Sequence, residues 1–143
     1  MPDFNRALTS DGVATAQRIG QEWKATGFVP DYFLSSAAVR ARQTAEHIAG
    51  QCDIDPDSIV FERLLYATDE FTLLHRLTQL PEGAQTAVLV NHNPAISALV
   101  EYLTDSFTDM LRQGSIARLE LDTSWAELSG GSARLINMAH PKQ

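Results

Sequence analysis

The chain has 143 residues, of which 44% are apolar and 20% charged, and this composition is ordinary for a folded domain with one core. The net charge of −7 argues against nucleic-acid binding or attachment to acidic membranes, and no apolar stretch approaches the roughly 20 residues that span a bilayer. The single cysteine, Cys52, excludes an internal disulfide framework and fits a reducing compartment, so we predict one cytoplasmic domain over residues 1–143.

The first half of the chain predicts two helices and two short strands. Apolar residues recur at helical spacing in two stretches, and each stretch runs into a glycine that can end a helix. The inner face of the second helix consists of small or branched apolar residues: Ala38, Ala41, Ala45 and Ile48. The predicted elements are a helix over 10–26 ending at Gly27, a strand over 32–34, a helix capped by Ser35 or Ser36 and ending at Gly50, and a weaker strand over 59–61.

The second half of the chain continues this alternation. Acidic residues at 69 and 70 favour a helix start, because they complement the helix dipole. Strands that alternate with helices indicate an α/β protein with a largely parallel sheet, although such a protein usually begins with a strand and this chain begins with a helix. The predicted elements are a helix from 68–70 with Leu73, Leu74, Leu77 and Leu80 in the core, a strand over 86–90, a helix over 94–104, and closing strands over 116–121 and 134–138.

Two strand-to-helix corners carry side chains that bind anions. His92 follows the apolar run 87–90 and precedes a helix, and Arg40 lies near the first turn of the helix after strand 32–34. Ligands of open α/β sheets bind at the carboxyl ends of strands, where helix N-termini attract anions. If the two strands are neighbours, Arg40 and His92 can reach one phosphate. Each signal alone is weak, because such an arginine is more often solvated and such a histidine more often structural.

The sequence around these residues resembles the histidine phosphatase superfamily, the phosphoglycerate-mutase-like enzymes. Residues 35–46, SSAAVRARQTAE, resemble its S-P-x-x-R-A-x-Q-T-A segment, and residues 90–94, VNHNP, resemble its second histidine motif, usually G-H-N-P. Residues 3–12, DFNRALTSDG, are similar to the D-x-x-R-P-L-T-x-x-G stretch of SixA-like phosphohistidine phosphatases, and the tail at 124–128 and 133–136 is also similar to that subfamily. These motifs occur in the family's order over almost the whole chain.

The resemblance implies a fold, a reaction and a set of site residues. The fold is a three-layer α/β sandwich with a mostly parallel central sheet flanked by helices. In the family, the histidine of an N-terminal R-H-G motif attacks phosphorus, and water then hydrolyses the phospho-enzyme. Arginines and a second histidine bind the phosphoryl oxygens, so no metal or cofactor is required. By this resemblance Arg40 and His92 are catalytic, and Arg6 and Asn93 contact substrate.

The chain departs from the family pattern in three places. No R-H-G occurs in the 143 residues, so we expect the family's first strand to be missing from this sequence. The remaining histidines, His47, His75 and His140, lie in two predicted helices and the tail and do not fit the nucleophile's position. Asn91 replaces the usual glycine before His92. Near Tyr66 the chain has no obvious general acid, which fits a substrate whose leaving group is an imidazole.

Three hypotheses about function follow. Only a short segment separates Arg40 from His92, where the family's sugar-phosphate mutases carry a substrate-capping insertion, and an open site suits a protein-borne substrate. The first hypothesis is therefore a phosphatase that acts on phosphohistidine of a signalling or phosphotransfer protein. The second is a non-catalytic module that binds phosphoprotein, and the third is an enzyme for a small phosphate ester. Because an inner strand is missing, we also expect the chain alone to be marginally stable, to associate, or to fill the gap with another segment.

Overall fold

Two groups of elements make up the protein in a computed structural model, which describes residues 3–66, 68–106 and 116–139. The first unit contains residues up to Tyr66 together with Ala84–Asn91, and the second contains the rest of the described chain. The prediction of one domain over residues 1–143 stays a prediction.

The helices and strands lie where the sequence pattern predicts them, with ends that shift by a few residues. The helices are α1 (Ser10–Thr26), α2 (Val39–Ala49), α3 (Glu70–Thr78) and α4 (Ala95–Thr104). The strands are β1 (Tyr32–Ser36), β2 (Ile59–Glu62), β3 (Ala87–Val90), β4 (Ile116–Leu121) and β5 (Ala133–Ala139). Short 3-10 turns occupy Asp3–Asn5, Pro56–Ser58, Arg63–Leu65 and Trp125–Glu127.

The first unit contains a parallel sheet, in the order β2-β1-β3. Leu34 at the centre of β1 pairs with Val60 of β2 and with Leu89 of β3. The predicted α/β class, with a parallel sheet flanked by helices, is therefore confirmed. Since β1 and β3 are parallel neighbours, their carboxyl ends lie at one edge of this sheet.

Helix α2 packs closely against both α1 and β1. Its predicted inner face is confirmed, since Ala41, Ala45 and Ile48 are all buried. On the α1 side Gly20 makes the close approach possible, because a Cβ atom built there would lie 2.3 Å from the carbonyl oxygen of Ile48. Helix α1 ends as predicted at Gly27, whose φ of 75° is in the left-handed region that glycine tolerates.

The predicted serine cap of α2 is wrong. Ser35 and Ser36 belong to β1, because parallel pairing with Phe61 and Glu62 of β2 extends the strand to Ser36. The residue before the helix is Ala38, and no side chain caps it. The Ser36 hydroxyl oxygen instead accepts a hydrogen bond from the Ala38 backbone N–H at 3.2 Å, which stabilises the turn between strand and helix.

The second unit consists of α3, α4 and an antiparallel pair formed by β4 and β5. Helix α3 packs on α4, and the buried Leu73, Leu77 and Leu80 confirm three positions of the predicted core face. The Asp69 carboxylate caps α3 by accepting a hydrogen bond from the Thr72 N–H at 2.9 Å. Within the described ranges, none of the helices has the length and apolar composition needed to cross a bilayer. The cytoplasmic location stays a prediction.

Candidate functional site

Arg40 lies in the first turn of α2, just beyond the carboxyl end of β1. This is the strand-to-helix corner that the sequence pattern predicts. Its side chain is only 25% exposed, so it lies against the protein rather than in open solvent. The Thr44 hydroxyl donates a hydrogen bond to the Arg40 carbonyl oxygen at 2.8 Å, one turn along the helix. The guanidinium is thus presented from a regular helix start.

The Arg40 guanidinium binds a carboxylate supplied by the same chain. Nη1 donates to Oδ1 of Asp3 at 3.0 Å, and Nη2 donates to Oδ2 at 3.3 Å. The Tyr66 hydroxyl donates to the same Oδ2 at 2.8 Å. We call these three residues the Asp3 cluster. A guanidinium that offers two parallel donors to two oxygens is the arrangement that recognises carboxylate or phosphate.

Aromatic and backbone contacts hold the N-terminal segment on this cluster. The Phe4 ring packs edge-to-face on Tyr66, with 4.9 Å between ring centroids, and the Arg63 guanidinium carbon lies 4.4 Å from the centroid of Phe4. Farther along, the Leu8 N–H donates to Oε1 of Gln43 in α2 at 2.8 Å. These contacts position the segment around Asp3 independently of its carboxylate.

The amide of Asn91 connects the end of β3 to the segment that carries Tyr66. Its Nδ2 donates to the carbonyl oxygen of Leu65 at 2.8 Å, and the Leu65 side chain is fully buried. Asn91 stands where the family pattern has glycine, which has no side chain to donate this bond. The substitution thus contributes a contact that the sequence motif did not predict.

The hydrogen bonds of the cluster shift the pKa values of Asp3 and Tyr66 in opposite directions. The hydrogen bond from Tyr66, followed by the charge and hydrogen bonds of Arg40, lowers the pKa of the Asp3 carboxyl. The hydrogen bond to Asp3 raises the pKa of the Tyr66 hydroxyl. At neutral pH Asp3 is therefore ionised and Tyr66 is protonated, so Tyr66 acts as the donor.

Arg6 lies beside the same carboxylate. Its backbone N–H donates to the Asp3 carbonyl oxygen at 3.1 Å and so follows the short 3-10 turn. The positive charge of Arg6 makes a further, smaller contribution to lowering the pKa of the Asp3 carboxyl. Of the predicted site residues, Arg6 and Arg40 thus both act on Asp3 within the first unit.

His92 and Asn93 lie at the start of the second unit. The His92 carbonyl oxygen accepts a hydrogen bond from the Ile96 N–H at 3.1 Å, so His92 is at the strand-to-helix corner that the sequence predicts. Asn93 is exposed, and its Oδ1 accepts a hydrogen bond from the Ser97 hydroxyl. Because Arg6 and Arg40 belong to the first unit, joint action of all four residues stays a prediction.

The other histidines are distributed as the sequence pattern indicates. His47 lies within α2 and His75 within α3, whereas His140 is outside the described residues. Histidine, cysteine and carboxylate side chains in the described ranges do not gather in groups of three or more that would hold a metal ion.

A cavity of about 390 Å³ lies at the opposite edge of the sheet, near the amino end of β1. Three aspartates, Asp31, Asp53 and Asp55, contribute to its lining. A negatively charged ligand is therefore disfavoured there, because like charges repel at short range. Within the first unit, the edge that carries Arg40 is better suited to an anion.

Sequence reasoning missed the roles of Asp3 and Tyr66. In the sequence Asp3 is only the first residue of the D-x-x-R pattern, and Tyr66 is only a neighbour of the position at which the family carries an acid. Asp3 lies 37 residues before Arg40, and Tyr66 lies 63 residues after Asp3. No short-range sequence pattern connects positions so far apart. The one available signal was that Asp3 belongs to a family motif.

Comparison with known proteins shows similarity to one superfamily. The model of the histidine phosphatase superfamily (branch 1) matches residues 3–64, which include Asp3, Arg6 and Arg40. The proposed phosphohistidine phosphatase SixA from Nakamurella multipartitia is 25% identical, with a TM-score of 0.82 over 99% of this chain and 88% of that chain. Both similarities support membership of the histidine phosphatase superfamily.

Further similarities are to two SixA proteins of known structure and to one mycobacterial protein. The proposed phosphohistidine phosphatase SixA from Agrobacterium tumefaciens is 26% identical, with a TM-score of 0.80 over 99% of this chain and 87% of that chain. The protein histidine phosphatase SixA complexed with tungstate shares the fold at 23% identity, with a TM-score of 0.83 over 97% of this chain and 86% of that chain. The uncharacterized protein ML1117 from Mycobacterium leprae (strain TN) is 28% identical over 98% of this chain and 89% of its own length. The predicted phosphoglycerate-mutase-like fold is thus confirmed.

Proposed function

We propose that this protein is a histidine phosphatase superfamily member that acts on phosphohistidine carried by another protein, and that Arg40 binds the phosphoryl group. One observation carries the proposal. The guanidinium of Arg40, at the carboxyl edge of a parallel sheet, already holds the two oxygens of an anion through bonds of 3.0 and 3.3 Å. A phosphoryl group presents the same kind of oxygen pair to such a fork. The names of two neighbours that share 25% and 26% identity support phosphohistidine as the substrate.

The chemistry assigned to these residues is binding and charge stabilisation. Arg40 neutralises the phosphoryl oxygens, on which negative charge accumulates as the phosphorus–nitrogen bond breaks. His92 is proposed to act on the same phosphoryl group, a role that rests on the resemblance to the family motif. Hydrolysis also needs a group that attacks phosphorus, and the family's R-H-G motif is not among the 143 residues.

A second candidate function is a module that binds phosphohistidine protein without hydrolysing it, and it needs only the anion-binding contacts of Arg40. Binding and release of phosphate distinguish the two candidates. A third candidate, hydrolysis of a small phosphate ester, is distinguished by substrate preference. All three share the prediction that phosphate recognition depends on Arg40.

The experiment uses a phosphotransfer domain phosphorylated on histidine and follows both its binding and its release of phosphate. For the first candidate we expect the rate of phosphate release to fall by about tenfold to hundredfold in Arg40→Ala. This is the size expected for the loss of charge-assisted hydrogen bonds. The matched control is Arg134→Ala, because Arg134 makes an exposed ion pair with Glu120 at 3.1 Å in the β4–β5 pair. His92→Ala tests the role of the second predicted catalytic residue.

The outcomes separate the candidates. Binding that depends on Arg40, without release of phosphate, supports the phosphohistidine-binding module. Faster turnover of a sugar phosphate than of the phosphorylated domain supports the small-ester enzyme. If neither binding nor release of phosphate depends on Arg40, all three candidates and the proposed site are contradicted.

A further inference from the structure

Three hydrogen-bond donors converge on one carboxylate in the Asp3 cluster. Oδ1 accepts from Nη1 of Arg40 at 3.0 Å, while Oδ2 accepts from Nη2 at 3.3 Å and from the Tyr66 hydroxyl at 2.8 Å. The Asp3 side chain is 47% exposed, so dissolved anions can reach the place where its carboxylate meets the donors. The arrangement is therefore an anion site whose present occupant belongs to the chain itself.

We propose that Tyr66 is a second donor of the phosphate subsite on Arg40, and that the Asp3 carboxylate occupies this subsite until a phosphate anion displaces it. The inference rests on the proposed function, because it assumes that Arg40 receives the phosphoryl group. It adds a substrate-binding residue, Tyr66, and an intramolecular competitor, Asp3.

Competition follows from the number of donors. The outer edge of the Arg40 guanidinium offers two parallel donors to one pair of oxygens, and these donors are engaged by Asp3. A phosphate and the ionised Asp3 cannot occupy them together, because both are negative and need the same positions. Once the carboxylate rotates away, one phosphate oxygen can accept from Tyr66 in its place.

The surrounding contacts allow the carboxylate to leave without unfolding the segment. Phe4 keeps its contacts with Tyr66 and Arg63, and Leu8 keeps its hydrogen bond to Gln43. None of these contacts uses the Asp3 side chain. Displacement then requires only a change of rotamer at an exposed residue, which is fast.

A purely structural role for Asp3 and a role as competitor predict opposite changes in phosphate binding when Asp3 is replaced. If the ion pair served only to fasten the N-terminal segment, its loss would loosen Arg40 and Tyr66 and weaken phosphate binding. If Asp3 competes with phosphate, its loss strengthens binding. The sign of the change therefore decides between the two roles.

The experiment is calorimetric titration of the full chain with inorganic orthophosphate at neutral pH and low salt. If the carboxylate closes the subsite nine-tenths of the time, Asp3→Asn binds phosphate about tenfold more tightly. Asp3→Ala should change the affinity in the same direction, and it serves as a second variant if Asn disturbs the turn. The matched control is Asp53→Asn, because Asp53 makes an exposed ion pair with Lys24 at 3.2 Å away from the cluster.

The role of Tyr66 is measured in the Asp3→Asn background, where the competitor is gone. There Tyr66→Phe should weaken orthophosphate binding by about tenfold, the loss expected for one hydrogen bond to a charged acceptor. The matched control in the same background is Tyr102→Phe, because Tyr102 lies in α4 and its ring packs on Phe71. This variant should leave binding unchanged. Thermal melting of every variant checks that the chain remains folded.

Each contrary result has a definite meaning. Weaker or unchanged binding in both Asp3 variants overturns the role of Asp3 as competitor, and equal affinity with and without the Tyr66 hydroxyl overturns its role as donor. In either case the proposed function remains supported if Arg40→Ala abolishes the binding of orthophosphate. Failure of every variant to bind orthophosphate through Arg40 contradicts the proposed function itself.

Discussion

Replacement of Asn91 by alanine tests how the end of β3 supports the segment that carries Tyr66. The variant removes Nδ2, which donates to the Leu65 carbonyl oxygen at 2.8 Å in a partly buried setting. It keeps the Cβ atom, so the backbone freedom of a glycine is not introduced. The measured effect therefore reports the lost side-chain contact rather than a change of backbone flexibility.

The expected loss is about 1–2 kcal/mol of unfolding free energy, at the lower end of the cost of leaving a buried acceptor without its donor. This estimate takes the lower end because the bond is only partly buried. For a chain of 143 residues, such a loss lowers the melting temperature by roughly 3–8 °C. Asn91→Gly, which restores the residue usual in the family, should lose about 0.5–1 kcal/mol more through greater freedom of the unfolded chain.

The assay is urea unfolding of wild type, Asn91→Ala and Asn91→Gly, followed by circular dichroism with linear extrapolation to water. Asn137→Ala in β5 is the control, since Asn137 is exposed and its replacement should change stability by less than about 0.5 kcal/mol. If Asn91→Ala unfolds at the same urea concentration as wild type, the bond to Leu65 does not stabilise the protein and our reasoning about this corner is refuted.

Two further predictions concern the charge of the Asp3 cluster and the packing of the first two helices. Because the hydrogen bond from Tyr66 lowers the pKa of Asp3 below its ordinary value of 3.8, the stability that ionised Asp3 contributes is present above that pH and is lost as the pH falls through the lowered pKa. In urea unfolding over a pH series, the difference between wild type and Asp3→Asn should therefore shrink below pH 3.8, and a constant difference would contradict this. Gly20→Ala should cost about 1–3 kcal/mol in the same assay despite a better helix propensity, since its Cβ would lie 2.3 Å from the Ile48 carbonyl oxygen. Gly83→Ala, whose Cβ meets nothing within 4 Å, is its control, and equal stability of the two variants would show that α1 and α2 adjust freely.

Short-range patterns were sufficient to predict the elements and two corners of the site. Apolar spacing located the helices, and the αL glycine at Gly27 ended α1 as expected. The same spacing placed Arg40 and His92 at strand-to-helix corners, and both positions are confirmed. Such predictions succeed because helix periodicity and helix ends depend on residues within a few positions of each other.

Tertiary packing decided the contacts between distant parts of the chain. Parallel pairing with β2 drew Ser36 into a strand, although its hydroxyl made it a reasonable helix cap by sequence alone. Packing of the N-terminal turn on α2 brought Asp3 to Arg40, and it brought Tyr66 to the same carboxylate. These contacts depend on where whole elements lie, and neither periodicity nor capping preference contains that information. The motif could thus indicate an arginine that binds an anion, while only the folded chain shows that a carboxylate of its own already occupies it.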